Sequence, residues 1–217
     1  MLFRSFARLL ALVCLSVVGP SIGLSEPVTP GGHEVVVYLR SAAHQPVTEL
    51  AEMERESAAL LESIGYDIEF RGAGDDPETT GFLSVVELRG SCEARSAGST
   101  TMVENGAKLA STAVTDGKIL PFTWINCQTV SNFLNDALQS VPEAQQHQML
   151  GRAMGRILAH ELYHVLTETP THDESGAFKS AFAVSDVLAD HLDFAELSHA
   201  RALHTVDSSS SLDSAAR

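Results

Sequence analysis

PEAQQHQMLGRAMGRILAHELYHVLTE, residues 142–168, is the stretch on which the reading of this chain turns. Leu150, Met154, Ile157, Leu158, Leu162, Val165 and Leu166 recur at helical spacing, which predicts one long helix with a buried stripe. Pro142 suits its first turn. His160 and His164 lie beside that stripe, four residues apart, and so sit one turn above each other on the same face. Both imidazoles can therefore aim at a single metal ion. Glu161, next to the first histidine, is placed to take a proton from water at that ion and is the candidate general base. The plain alternative is a pair of surface histidines on an amphipathic helix.

Downstream, Pro170 lacks an amide hydrogen and restricts the residue before it, so the helix is expected to end near Thr169. A polar loop, Thr171 to Gly176, then carries His172 eight residues past His164. His172 is the candidate third ligand. Three protein ligands with a fourth position left for water is the catalytic zinc arrangement, which brings the pKa of water to about 7. Zinc (Zn2+) is the expected cofactor, with Asp186, Asp190 or Glu168 as alternatives to His172. Asp186 and Asp190 also read as outer carboxylates that orient a histidine.

This stretch resembles the metzincin clan of zincin metallopeptidases, in which HExxH is followed by a short turn, a third histidine and a methionine turn beneath the metal. In HExxHxxGxxH the helix stops at a glycine; here Thr167 and Pro170 occupy the glycine and third-histidine positions, and the third histidine moves to His172. No methionine follows Met154, and Gly176-Ala177-Phe178-Lys179 stands in the place of the methionine turn, with Phe178 as the expected hydrophobic floor. The segments DGKILPFTWINC and LAHELYHVLTETPTHDESGAFKSAF are also similar to a group of secreted bacterial proteins regarded as metallopeptidases. The resemblance implies a zinc metalloendopeptidase acting on peptide or protein substrates. Thermolysin-like gluzincins instead take a carboxylate from a later helix, the window in which Asp186 and Asp190 fall.

Residues 1–25 carry Arg4 and Arg8, an apolar run from Leu9 to Val18 and then small residues, the pattern of a secretory signal peptide. The run is short for a membrane span. Export to the periplasm or the outside is the expectation. The formal net charge is −14; removing residues 1–25 deletes two arginines and no acids and takes it to −16, which argues against a nucleic-acid partner. It also favours basic or neutral peptides as substrates. Beyond the signal, Cys92 and Cys127 are an even pair in an exported chain, expected as one disulfide with two free thiols as the alternative.

Strands are expected at 33–40, 66–71 and 82–89, with a helix at 47–64. Weaker strands are expected at 113–114, 119–122 and 123–127, around an Asp116-Gly117 turn, then a helix at 129–139. Residues 180–204 read as a helix covering the far side of the metal loop, and the strand at 119–124 as the edge that pairs with substrate. Arg156 and Tyr163 have the chemistry to stabilise an oxyanion, but adjacent helix positions point in different directions and neither is assigned that role; His191, His199 and His204 read as surface residues. The fold class is α+β: a single zincin-like domain, residues 26–204, with a mixed sheet over the HExxH helix, then a disordered tail, 205–217. The rival function is a secreted scaffold or binding protein that zinc merely stabilises.

Overall fold

The computed structural model of the chain describes residues 33–72, 74–75, 81–94, 108–196, 198–202 and 205. The expected signal segment, His204 and all of the tail but Thr205 lie outside them. The order of elements is β1 (His33–Ser41), α1 (Val47–Glu62), β2 (Tyr66–Gly72), β3 (Phe82–Arg89), β4 (Ala110–Thr115), β5 (Lys118–Asn126), α2 (Cys127–Leu138) and α3 (Glu143–Thr167). A single 3-10 turn (Gly176–Phe178) and a four-residue helix, α4 (Val184–Val187), follow. The fold is mixed α+β.

Five strands form one sheet in the order β2-β1-β3-β5-β4, parallel except for β4, which runs antiparallel to β5. Alternation along β1 sends Val35 and Val37 into the core, and Val86, Leu88 and Ile125 do the same from β3 and β5. Asp116 and Gly117, both at positive φ (51° and 75°), make the tight β4–β5 hairpin, whose handedness matches the twist of its strands.

Two expectations are corrected here. The stretch 119–124 is not an edge: it belongs to one continuous strand, β5, flanked by β3 and β4. The hairpin folds β4 over its outer side, so among the described residues β4 is the edge on that side. Pro121 is tolerated because the β3 ladder starts at Phe122 and the β4 ladder shifts register between Thr112 and Val114. The long helix expected over 180–204 is also absent: only 184–187 is helical, the chain is irregular to Ala195, and helix returns at 196 and 198–202. Arg156 is the reason. Its buried guanidinium donates to the carbonyls of Asp186, Val187 and Ala189 at 3.3, 3.2 and 2.7 Å, and these are groups a continuing helix would bond internally.

α3 crosses the sheet with nearly every residue from Leu150 to Leu166 buried. It packs on α1 at unusually short range. A Cβ on Gly151 would stand 2.6 Å from the Glu49 carbonyl oxygen, and one on Gly155 would stand 2.7 Å from that of Met53. Only glycine permits that approach. Cys92 and Cys127 are joined in a disulfide that ties the end of β3 to the start of α2, and such bridges typically contribute about 2–4 kcal/mol. Among the described residues no helix is long and apolar enough to cross a membrane.

Candidate metal centre

His160 and His164 occupy successive turns of α3, their ring centroids 5.0 Å apart. Each spends its Nδ1 on a backbone carbonyl: His160 on Ala177 at 3.0 Å, His164 on Thr169 at 2.6 Å. A carbonyl only accepts, so each Nδ1 carries the proton and each Nε2 keeps its lone pair. The local chain makes this possible. α3 ends at Thr167 because Glu168 turns left-handed (φ 48°), two residues before Pro170, and that turn swings Thr169 back beneath His164.

The same turn carries His172 over the helix. Its Nε2 lies 3.2 Å from that of His164, and its ring is 5.1 Å from that of His160. Two nitrogens on one tetrahedral zinc, each about 2.0–2.1 Å from it, stand about 3.3 Å apart. The ligating atoms of all three histidines lie within 4.8 Å of one another, and the group could hold a metal ion.

Phe178 is fully buried and floors the cluster, its ring 5.1, 4.6 and 5.2 Å from those of His160, His164 and His172. This apolar packing disfavours imidazolium. Burial, followed by the neighbouring His164, pushes the pKa of His160 down to about 3, against the pull of the Ala177 carbonyl. Burial likewise lowers His164 and, more exposed on its loop, His172. The rings are thus neutral at neutral pH, the form in which imidazole binds metal.

Glu161 is hydrogen-bonded from β4. Thr112 donates to its Oε2 at 2.8 Å and also lies 3.1 Å from its main-chain carbonyl. The buried Thr123 sits behind, 3.2 Å from the Thr112 hydroxyl. Burial raises the Glu161 pKa, while Thr112 and the charge of Lys108 oppose the rise. This carboxylate and the three histidines share a cleft of about 610 Å³, with apolar walls that include Val114, Phe133, Ile157 and Phe182. The volume is within the range of ligand sites.

Sequence reasoning missed Thr112 and Phe182. Thr112 carries no local signal, since its role depends on a hydrogen bond across 49 residues. Phe182, whose ring is 5.4 Å from that of His160, lay within a wrongly expected helix.

The alternative ligands lie elsewhere. Glu168 is exposed at the helix end. Asp186 is bound to Lys179 at 2.5 Å and caps the Ala183 amide. Asp190 lines a separate small cleft with Glu56 and Arg156. Arg156 and Tyr163, given no oxyanion role, are engaged elsewhere: Arg156 is 2% exposed and paired with Glu56 at 2.7 Å, and the Tyr163 hydroxyl is buried on the Ser198 carbonyl. His191 is exposed and His199 half-buried, and neither joins the cluster. Comparison with protein-family models, curated proteins and solved structures finds no match to this chain.

Proposed function

We propose that this chain is an exported zinc-dependent peptidase in which His160, His164 and His172 hold one zinc ion and Glu161 is the general base. The observation that carries the reading is the convergence of three neutral imidazoles beside a carboxylate oriented by Thr112, all facing one cleft. The donor set is neutral nitrogen, which zinc favours, and three ligands leave a position open, whereas structural zinc takes four. When bound, zinc would supply a Lewis acid and activate water near neutral pH.

The residues divide the remaining work. Thr112 occupies Oε2 of Glu161, leaving Oε1 to accept the proton of the attacking water. As the water oxygen bonds to the scissile carbonyl carbon and the carbon–nitrogen bond breaks, the same Oε1 returns that proton to the departing amine. β4, the sheet edge beside the cleft among the described residues, offers a rim for the main chain of an extended peptide. The apolar walls exclude water around the bond. Export accords with the amino-terminal pattern and with the Cys92–Cys127 disulfide, a bond of oxidising compartments.

The test combines zinc content with cleavage of an unfolded protein substrate by the parent, Glu161→Gln and His172→Ala. We expect one zinc per chain in the parent and in Glu161→Gln, cleavage lost by about 10²-fold or more in the latter, and zinc lost in His172→Ala. A zinc-loaded parent that cleaves no peptide would instead indicate a scaffold, and full activity in Glu161→Gln would remove it as the base.

A further inference from the structure

Asp193, Ser198 and Arg201 lie far from the HExxH motif in sequence, yet they touch residues that neighbour or support His160 and His172. The Asp193 carbonyl accepts from the Ala177 amide at 2.8 Å, and the Ala177 carbonyl in turn accepts from Nδ1 of His160. Gly176 (φ 76°) lets the two chains close up: a Cβ there would stand 2.6 Å from the Asp193 oxygen and 2.9 Å from the Ala195 nitrogen. Asp173, adjacent to His172, has a side chain only 4% exposed. Ser198, fully buried, donates a short hydrogen bond to Asp173 Oδ2, and Arg201 faces Oδ1 at 3.5 Å. Arg201 also donates to the Tyr163 hydroxyl at 3.3 Å, and that hydroxyl donates to the Ser198 carbonyl at 3.0 Å. Tyr163 directly precedes His164 on α3.

A buried carboxylate with no partner is costly, and Ser198 and Arg201 supply the partners of the Asp173 side chain, while its amide donates separately to the Phe178 carbonyl at 2.9 Å. Polar closure of this kind fixes geometry, and what it fixes is the peptide next to His172. We infer that Ser198, Asp173 and Arg201 form a latch by which the carboxy-terminal segment positions the His172 loop for metal binding. They are positioning residues, acting through His172 and, by way of Ala177, through His160. The inference rests on the metal-site reading above but requires no peptidase activity.

The experiment is zinc affinity, by competition with a chromophoric chelator, and the visible spectrum of the cobalt-substituted protein. Parent, Ser198→Ala, Asp173→Asn and Arg201→Gln are compared, with denaturant unfolding of each metal-free protein alongside. Supporting groups around metal ligands typically contribute about 10–100-fold in affinity. We expect Ser198→Ala and Asp173→Asn to weaken zinc binding by about tenfold or more and to change the cobalt bands. Arg201→Gln, at a partly exposed position that folding tolerates, should weaken it less. Zinc affinity and cobalt spectra equal to the parent's, with stability alone reduced, would overturn the latch and leave an ordinary packing contact. Failure of the parent itself to bind zinc would overturn the metal reading, and the latch with it.

Discussion

Thr112 Oγ1 lies 2.8 Å from Glu161 Oε2, so the proposed base is held by an edge strand and not by its own helix. Hydrogen bonds to charged groups contribute about 1.5–3 kcal/mol. Thr112→Val keeps the shape and removes the donor. We expect kcat/KM to fall by about tenfold or more with zinc content unchanged. Thr112 lowers the Glu161 pKa, so its loss raises it and moves the acidic limb of the pH–rate profile to higher pH. An unmoved limb would show that Thr112 does not act on the carboxylate.

The metal-free protein should weaken as pH falls from about 6.5. His160 is held near 3 and His164 and His172 are also depressed, whereas the unfolded chain protonates its histidines near 6.5. Below that value the unfolded state binds more protons, so this stability is present above pH 6.5 and is lost as pH drops toward the folded values. Each fully linked proton contributes about 1.4 kcal/mol per pH unit. Urea unfolding at pH 7.5, 6 and 5 measures the slope, and a flat profile would contradict the depressed histidines.

Glu168→Gly should stabilise. A non-glycine residue in the left-handed conformation costs about 1–2 kcal/mol, part of which is offset by the freedom glycine adds to the unfolded chain. The expected net gain in thermal unfolding is about 0.5–1 kcal/mol. Zinc content should not change. Loss of zinc would return Glu168 to the ligand set.

Gly155→Ala should do the reverse. In an open helix the substitution would gain about 1 kcal/mol. Here the new methyl meets Glu56 Cβ and the Met53 carbonyl oxygen at 2.7 Å, and overpacking of this kind costs about 1–3 kcal/mol. Denaturant unfolding gives the sign directly; a stabilised variant would mean that α1 and α3 do not approach as described.

The long helix, expected over 142–168 and found over 143–167, and the pairing of His160 with His164 on one face were readable in the sequence, because periodicity and fixed spacing are local properties; His172 was a candidate from the loop after Pro170, and Phe178 was suggested only by the metzincin resemblance. The strands 33–41, 66–72 and 82–89 were legible for the same reason. What escaped depends on distant partners. Residues 180–204 have helical composition, but Arg156 draws three of their carbonyls inward. Whether 119–124 or 110–115 lies at the edge depends on which way one hairpin folds, and periodicity is silent on that. Thr112 and Ser198 acquire their contacts only once strand and segment have closed on α3.

The carbonyls of Thr169 and Ala177, which fix the protons of His164 and His160, bracket the loop that delivers His172. Loop length is therefore a single variable read by all three rings. One residue added between Thr169 and Ala177 would displace His172 and release a tautomer in the same step. Anyone transplanting this centre onto another scaffold would have to move residues 160–178 as a block, since three histidines grafted alone would arrive without their proton bookkeeping.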